Sequence, residues 1–178
     1  MAEEQAHEEI IKMIKVIDKA ILMERNARSF YQTAAHKVES SEGKKMFQWL
    51  ADFEAGHESR LMTRRNELFA HPFMEGVGSF PVGEGQSMSE ARPIELPMEP
   101  SDTDVLMIGI ENENAARSYY QTQGSYSSDE NIKATFEHLA ADEEKHIRIL
   151  SEQLKHLQVE RFWLDLASFD DVKKSSGG

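Results

Sequence analysis

ERNARSFYQT at residues 24–33 returns as ENAARSYYQT at 113–122, and LADFEAGH at 50–57 returns as LAADEEKH at 139–146. Both pairs share one offset of 89 residues, so a single ungapped shift lays 24–61 on 113–150 with 14 identities in 38 positions. Unrelated sequences of average composition would agree at about 2 or 3 of them. The chain therefore reads as a duplicated unit. Around the repeats the apolar residues keep a helical period: Ile10, Ile14, Ile17 and Ile21, then Phe47, Leu50, Leu61 and Leu68, then Val105, Leu106 and Ile110, then Phe136, Leu139, Leu150, Leu154 and Leu157. This spacing predicts four helices, at 6–38, 42–69, 101–123 and 128–160. The breaks at 36–43 and 123–131 are short enough for antiparallel hairpins, and Ser127-x-x-Glu130 in the second is a candidate capping box. All five prolines and four of the ten glycines lie between 72 and 100. That segment is the one long connection, a crossover over 70–100 that can run the length of a bundle and bring the third helix parallel to the second. The expected fold is all-α: a four-helix bundle of two duplicated antiparallel helical hairpins joined by a long crossover. One domain is expected over 1–166, followed by a flexible C-terminal tail over 167–178.

Composition removes several kinds of function. With 178 residues the chain can bury a core without covalent staples. It has no cysteine, which excludes disulfides, thiolate metal sites and cysteine nucleophiles; any metal must be held by oxygen and nitrogen. Lys+Arg number 20 against 32 Asp+Glu, a formal charge of −12, and this field repels nucleic-acid backbones and anionic membranes. The N-terminal stretch is acidic and no apolar run reaches the length of a span, so neither a signal peptide nor a membrane segment is read, and a cytoplasmic location is expected.

The residues that recur decide the chemistry. Glu24, Glu54 and His57 return as Glu113, Glu143 and His146, and each sits on the apolar stripe of its helix, where a core residue belongs. Four carboxylates and two imidazoles would then point into the bundle. Buried and unpaired they would be very costly, and no matching set of basic residues shares the stripes, although Arg28 and Arg117 lie close by. Two divalent cations would balance the four carboxylates. A Glu and a His three apart share a helix face and can ligate one ion, with a Glu from the neighbouring helix bridging or completing the set. A Glu from each of two helices with Glu-x-x-His from each of the other two is the di-iron or di-manganese site of ferritin-like bundles. Glu4-x-x-His7 has the same spacing but an acidic, terminal setting, and is read as a solvated face. Tyr31 and Tyr120 recur seven residues after Glu24 and Glu113. Two readings stay open for them: core packing alone, or hydroxyls that bond ligand carboxylates of another helix. His36, His71, His138 and His156 have no partner spacing and are read as surface or packing residues. Glu111 competes with Glu113 for the inward position, and the 89-residue register favours Glu113. Gly56 is a candidate for admitting a close neighbour or small oxidant. The stretch Phe162, Trp163, Leu166 and Phe169 covers either the bundle end or an interface between copies.

With ERNARSFY, LADFEAGH, ENAARSYY and LAADEEKH the sequence resembles the rubrerythrin-like branch of the ferritin-like superfamily, as an erythrin domain without rubredoxin, over about residues 10 to 160. The resemblance implies a non-haem di-iron centre, two iron ions per chain with manganese as the alternative, held by Glu24, Glu54, His57, Glu113, Glu143 and His146. It implies reduction of hydrogen peroxide or dioxygen in defence against oxidative stress. The chain departs from the family in having Ala116 where rubrerythrins carry a further glutamate, and in lacking a cysteine-bound iron domain. Electrons must then come from a separate donor protein such as a rubredoxin, or from Fe(II) itself, which would make the chain a ferroxidase or iron-handling protein. A metal-stabilised interaction module without redox turnover is the remaining alternative. A homo-oligomer, most simply a dimer, is expected.

Overall fold

A computed structural model of the chain describes residues 2–83 and 92–170. It has helices α1 (Ala2–Lys37), α2 (Ser41–Phe69), α3 (Asp102–Tyr126) and α4 (Glu130–Glu160), with 3-10 turns at Pro72–Met74 and Leu166–Phe169. Among the described residues there is no strand. The caps account for the helix starts: Ser40 accepts from Gly43 N–H before α2, and Ser101 and Asp104 form a reciprocal capping box before α3. The box expected at Ser127-x-x-Glu130 does not form. Ser127 closes α3 instead, and the Asp129 carboxylate caps α4 by accepting from the N–H groups of Asn131 and Ile132. A charged acceptor at the positive end of the helix outcompetes a hydroxyl two residues further out.

α1 packs along α2 and α3 along α4, with fewer close backbone approaches between α1 and α3 and between α2 and α4. Directions follow from the cross-helix bonds. Arg65 of α2 meets Asp18 while Glu58 meets Arg25, so α1 and α2 are antiparallel. Tyr31 reaches Glu113 while Tyr120 reaches Glu24, so α1 and α3 are antiparallel as well. α2 and α3 therefore run the same way, and the crossover must climb the bundle. It does so along α1: Gly83 N–H donates to Asp18, Asn26 donates to the Arg92 carbonyl, and Lys37 donates to the Met98 carbonyl. The lower anchorage is a buried ion pair that the sequence reading did not identify. Arg65 binds Asp18 and the Phe80 carbonyl, with its guanidinium 4.8 Å and 5.4 Å from the ring centres of Phe69 and Phe80. Residues 84–91 of the expected crossover lie outside the described residues.

The core forms two apolar clusters. One gathers Phe30, Tyr31, Met46, Phe47, Leu50, Leu106 and Leu150 with Trp163 and Phe169; the other gathers Ile14, Ile17, Ile21, Leu61, Tyr120, Phe136 and Leu139. The duplication is visible in the packing: Tyr31 stacks on Phe47 at 6.0 Å in one cluster and Tyr120 on Phe136 at 5.8 Å in the other. Trp163 and Phe169 cover the end of the bundle. The indole donates to Asp102 at 2.7 Å and lies over Gly43, where an added Cβ would come within 2.9 Å of the ring. Phe162 stays exposed. At the start of the tail expected over 167–178, the Leu166–Phe169 turn is ordered and buries Phe169; residues 171–178 lie outside the described residues. Among the described residues no helix is long and apolar enough to cross a membrane.

Candidate metal centre

Between the two apolar clusters lies a polar layer. α1 supplies Glu24, α2 supplies Glu54 and His57, α3 supplies Glu113, and α4 supplies Glu143 and His146. All six side chains are at most 2 % exposed. Their helical register puts them there: Glu54 and His57 stand one turn apart between Leu50 and Leu61, as Glu143 and His146 do between Leu139 and Leu150.

Each imidazole turns its Nδ1 toward three carboxylates. His57 Nδ1 lies 3.2 Å from Glu54 Oε2, 3.3 Å from Glu143 Oε1 and 3.4 Å from Glu24 Oε2. His146 Nδ1 lies 3.0 Å from Glu143 Oε2, 3.4 Å from Glu54 Oε1 and 3.8 Å from Glu113 Oε2. Two donor sets result, Glu24–Glu54–His57–Glu143 and Glu54–Glu113–Glu143–His146, each with ligand atoms within 4.8 Å of one another. They share Glu54 and Glu143, one oxygen of each carboxylate facing each set. Oε1 of Glu54 and Oε1 of Glu143 are buried with no hydrogen-bond partner. Such orphans in a core are costly unless a cation takes the lone pairs, so the donor set fits divalent cations.

The electrostatics of the metal-free layer agree. Burial, then the charge of a neighbouring carboxylate, raises the carboxyls of Glu24 (beside Glu54) and Glu113 (beside Glu143) well above their ordinary range. Burial opposes charge on both imidazoles too, but the surrounding carboxylates outweigh it and hold both well above the usual value. At Glu54 burial is outweighed by the proximity of Glu24 and of the two imidazoles, and at Glu143 burial and the Glu54 charge are outweighed by His57 and His146, so both carboxyls are held below their ordinary range. Divalent cations would take the place of the protons these groups hold.

Both tyrosines reach across to the other hairpin: Tyr31 donates to Glu113 and Tyr120 donates to Glu24. Glu111 is exposed, leaving Glu113 as the inward residue. Arg28 and Arg117 stay outside, paired with Glu58 and Glu144. Gly56 does not border the site; it is exposed, and a Cβ there would meet nothing within 4 Å. Ala116 is buried in the apolar cluster. His7 meets the Phe73 carbonyl, and His36, His71, His138 and His156 lie at or near the surface.

The rubrerythrin family model matches residues 15–73 and 104–168, which includes all six layer residues. The chain belongs to the rubrerythrin family. Solved structures agree on a ferritin-like bundle. This rubrerythrin-family chain is similar to a hypothetical protein from Pyrococcus furiosus, with 22% identity over 82% of this chain and 89% of that one, at a TM-score of 0.67. It is similar to the bacterioferritin-related protein from Bacteroides fragilis, described as a dodecameric thioferritin, with 20% identity over 95% and 92% at 0.67. A third likeness is Rhodobacter capsulatus bacterioferritin, described as having a metal-free dinuclear site and haem iron, with 23% identity over 83% and 86% at 0.63. No curated protein sequence matches the chain significantly.

Sequence reasoning missed one residue of this rubrerythrin-family site. Asp142 Oδ2 stands 3.5 Å from His57 Nε2, the imidazole nitrogen that faces away from the donor set. Burial opposes its ionisation, but His57 and Lys145 outweigh that and hold the Asp142 carboxyl below its usual range. The signal was present: Asp142 precedes Glu143, and the repeat places Phe53 at the equivalent position.

Proposed function

We propose that the chain is a non-haem di-iron oxidoreductase that reduces hydrogen peroxide or dioxygen. Glu24, Glu54, His57, Glu113, Glu143 and His146 would hold two iron ions, with manganese as the alternative. The observation that carries this reading is the pair of interleaved donor sets sharing two carboxylates with orphaned oxygens. When bound, two iron ions supply Lewis acidity and the electrons for splitting an O–O bond; reducing peroxide to two waters consumes two electrons and two protons. The chain's own residues do the rest. The apolar clusters on either side of the layer keep bulk water out and keep its charges strong. Glu54 and Glu143, common to both donor sets, would serve both ions. Tyr31 and Tyr120 fix one terminal carboxylate each, and the Tyr31 hydroxyl keeps its proton because burial and the Glu113 charge push its pKa up. With no cysteine, the chain has no thiolate-bound iron of its own, and an external donor protein such as a rubredoxin would return the electrons.

The likeness to the thioferritin and bacterioferritin structures favours a second reading, iron handling, in which Fe(II) is the consumed substrate and ferric iron the product. The test is elemental analysis of protein purified without chelator, then optical spectra after reduction and after peroxide. About two irons per chain, with a ferric band that bleaches on reduction and returns with peroxide, support the oxidoreductase. Oxidation of many Fe(II) per chain supports iron handling. Metal without redox turnover leaves a metal-stabilised interaction module. A homo-oligomer is part of the proposal, on the likeness to the dodecameric Bacteroides protein, with a dimer as its smallest form; light scattering measures it.

A further inference from the structure

The two donor sets come from one duplicated unit, yet their surroundings differ. Behind His57 stands the Asp142 carboxylate, whose Oδ1 takes Lys145 at 2.9 Å while Oδ2 faces both His57 and Arg60 at 3.5 Å. Behind His146, the 89-residue shift replaces that carboxylate with Phe53. The Phe53 ring meets His146 edge-on at 5.3 Å and Trp49 does so at 5.9 Å, and the two rings pack on each other at 4.7 Å. Among the described residues Nε2 of both histidines lacks a formed hydrogen bond, but only His57 has an anionic acceptor within a short movement; His146 Nε2 is buried with none.

The geometry points to two inequivalent metal positions: Asp142 is a positioning residue for His57, and the Glu24–His57 position fills before the Glu113–His146 position. This rests on the metal-site reading above. A carboxylate on the outer nitrogen fixes the tautomer that presents the Nδ1 lone pair inward, holds the ring in plane and strengthens the imidazole as a ligand; losing such a partner costs about 10–100-fold in metal affinity. Aromatic hydrocarbon gives His146 no acceptor of that strength. The shared ligands Glu54 and Glu143 contribute to both positions alike, and Glu24 and Glu113 each hold one tyrosine, so the difference at the outer nitrogen sets the order.

The test is a Zn(II) titration of the full chain with histidine-selective ¹⁵N labelling, reading ring resonances of His57 and His146 separately. At one equivalent the occupied His57 form is expected to exceed the occupied His146 form about 10-fold or more. Asp142→Asn is expected to remove that preference, Phe53→Asp to bring His146 up so that both fill together, and Phe53→Leu to leave the order as in the wild type. Parallel filling in the wild type, His146 first, or an order unchanged by Asp142→Asn would overturn the assignment. Should Asp142→Asn not fold, the gain in Phe53→Asp against Phe53→Leu decides alone. Zn(II) reaching neither histidine would instead sink the metal-site reading itself, a different outcome from equal filling.

Discussion

At the scale of single residues, the layer's two kinds of glutamate carry different consequences. Glu54 and Glu143 belong to both donor sets, whereas Glu24 and Glu113 belong to one each. Glu54→Ala or Glu143→Ala is expected to abolish binding of both metals, while Glu24→Ala leaves about one metal per chain at the His146 position; elemental analysis after dialysis distinguishes them. Full metal content and peroxide turnover in Glu54→Ala would contradict the assignment. Tyr31→Phe removes the donor to Glu113 and leaves a buried carboxyl without its partner, which should cost about 1–3 kcal/mol in denaturant titration of the metal-free chain. Tyr120→Phe should match it through Glu24. The seven-residue spacing placed both tyrosines on the right helix face in the sequence, but which carboxylate each meets depends on the neighbouring hairpin.

At the scale of the elements, two glycines in α2 behave oppositely. A Cβ at Gly56 meets open solvent on an outer helix face, so Gly56→Ala should stabilise by about 0.5–1 kcal/mol. A Cβ at Gly43 collides with the Trp163 indole at 2.9 Å, so Gly43→Ala should destabilise by about 1–3 kcal/mol and loosen the C-terminal cover of the bundle. Chemical denaturation of both variants reads the sign directly. The crossover depends on one buried pair: Asp18→Ala strands the Arg65 guanidinium and should cost about 3–5 kcal/mol, with faster proteolysis between residues 70 and 83. Periodicity located the helices to within a few residues because burial of one stripe dictates them. It did not locate Asp18–Arg65, since a charged pair on a stripe looks like an interruption until the partner helix is in place.

For the whole molecule, the polar layer makes stability depend on pH. Glu24, Glu113, His57 and His146 hold protons more tightly folded than unfolded, so their contribution is full at low pH and is lost as pH rises. Glu54, Glu143 and Asp142 have depressed values, so theirs is lost as pH falls through the acidic range. The metal-free chain should therefore be most stable near the ordinary carboxylate range and weaken as pH rises, more steeply above the usual histidine value of 6.5. Bound metal would displace protons from these groups, so the loaded chain should lose that alkaline weakness and metal uptake should release protons; denaturation at several pH values with and without metal measures both. The sequence by itself determined the four helices, the duplication and the six inward residues, because helical period and a shared offset are local, one-dimensional properties. Only the tertiary structure decided that Glu54 and Glu143 are shared, that the tyrosines cross between hairpins, and that Asp142 backs one histidine while Phe53 backs the other. Those relations join residues of different helices, and only the packing of the two hairpins brings them within bonding distance.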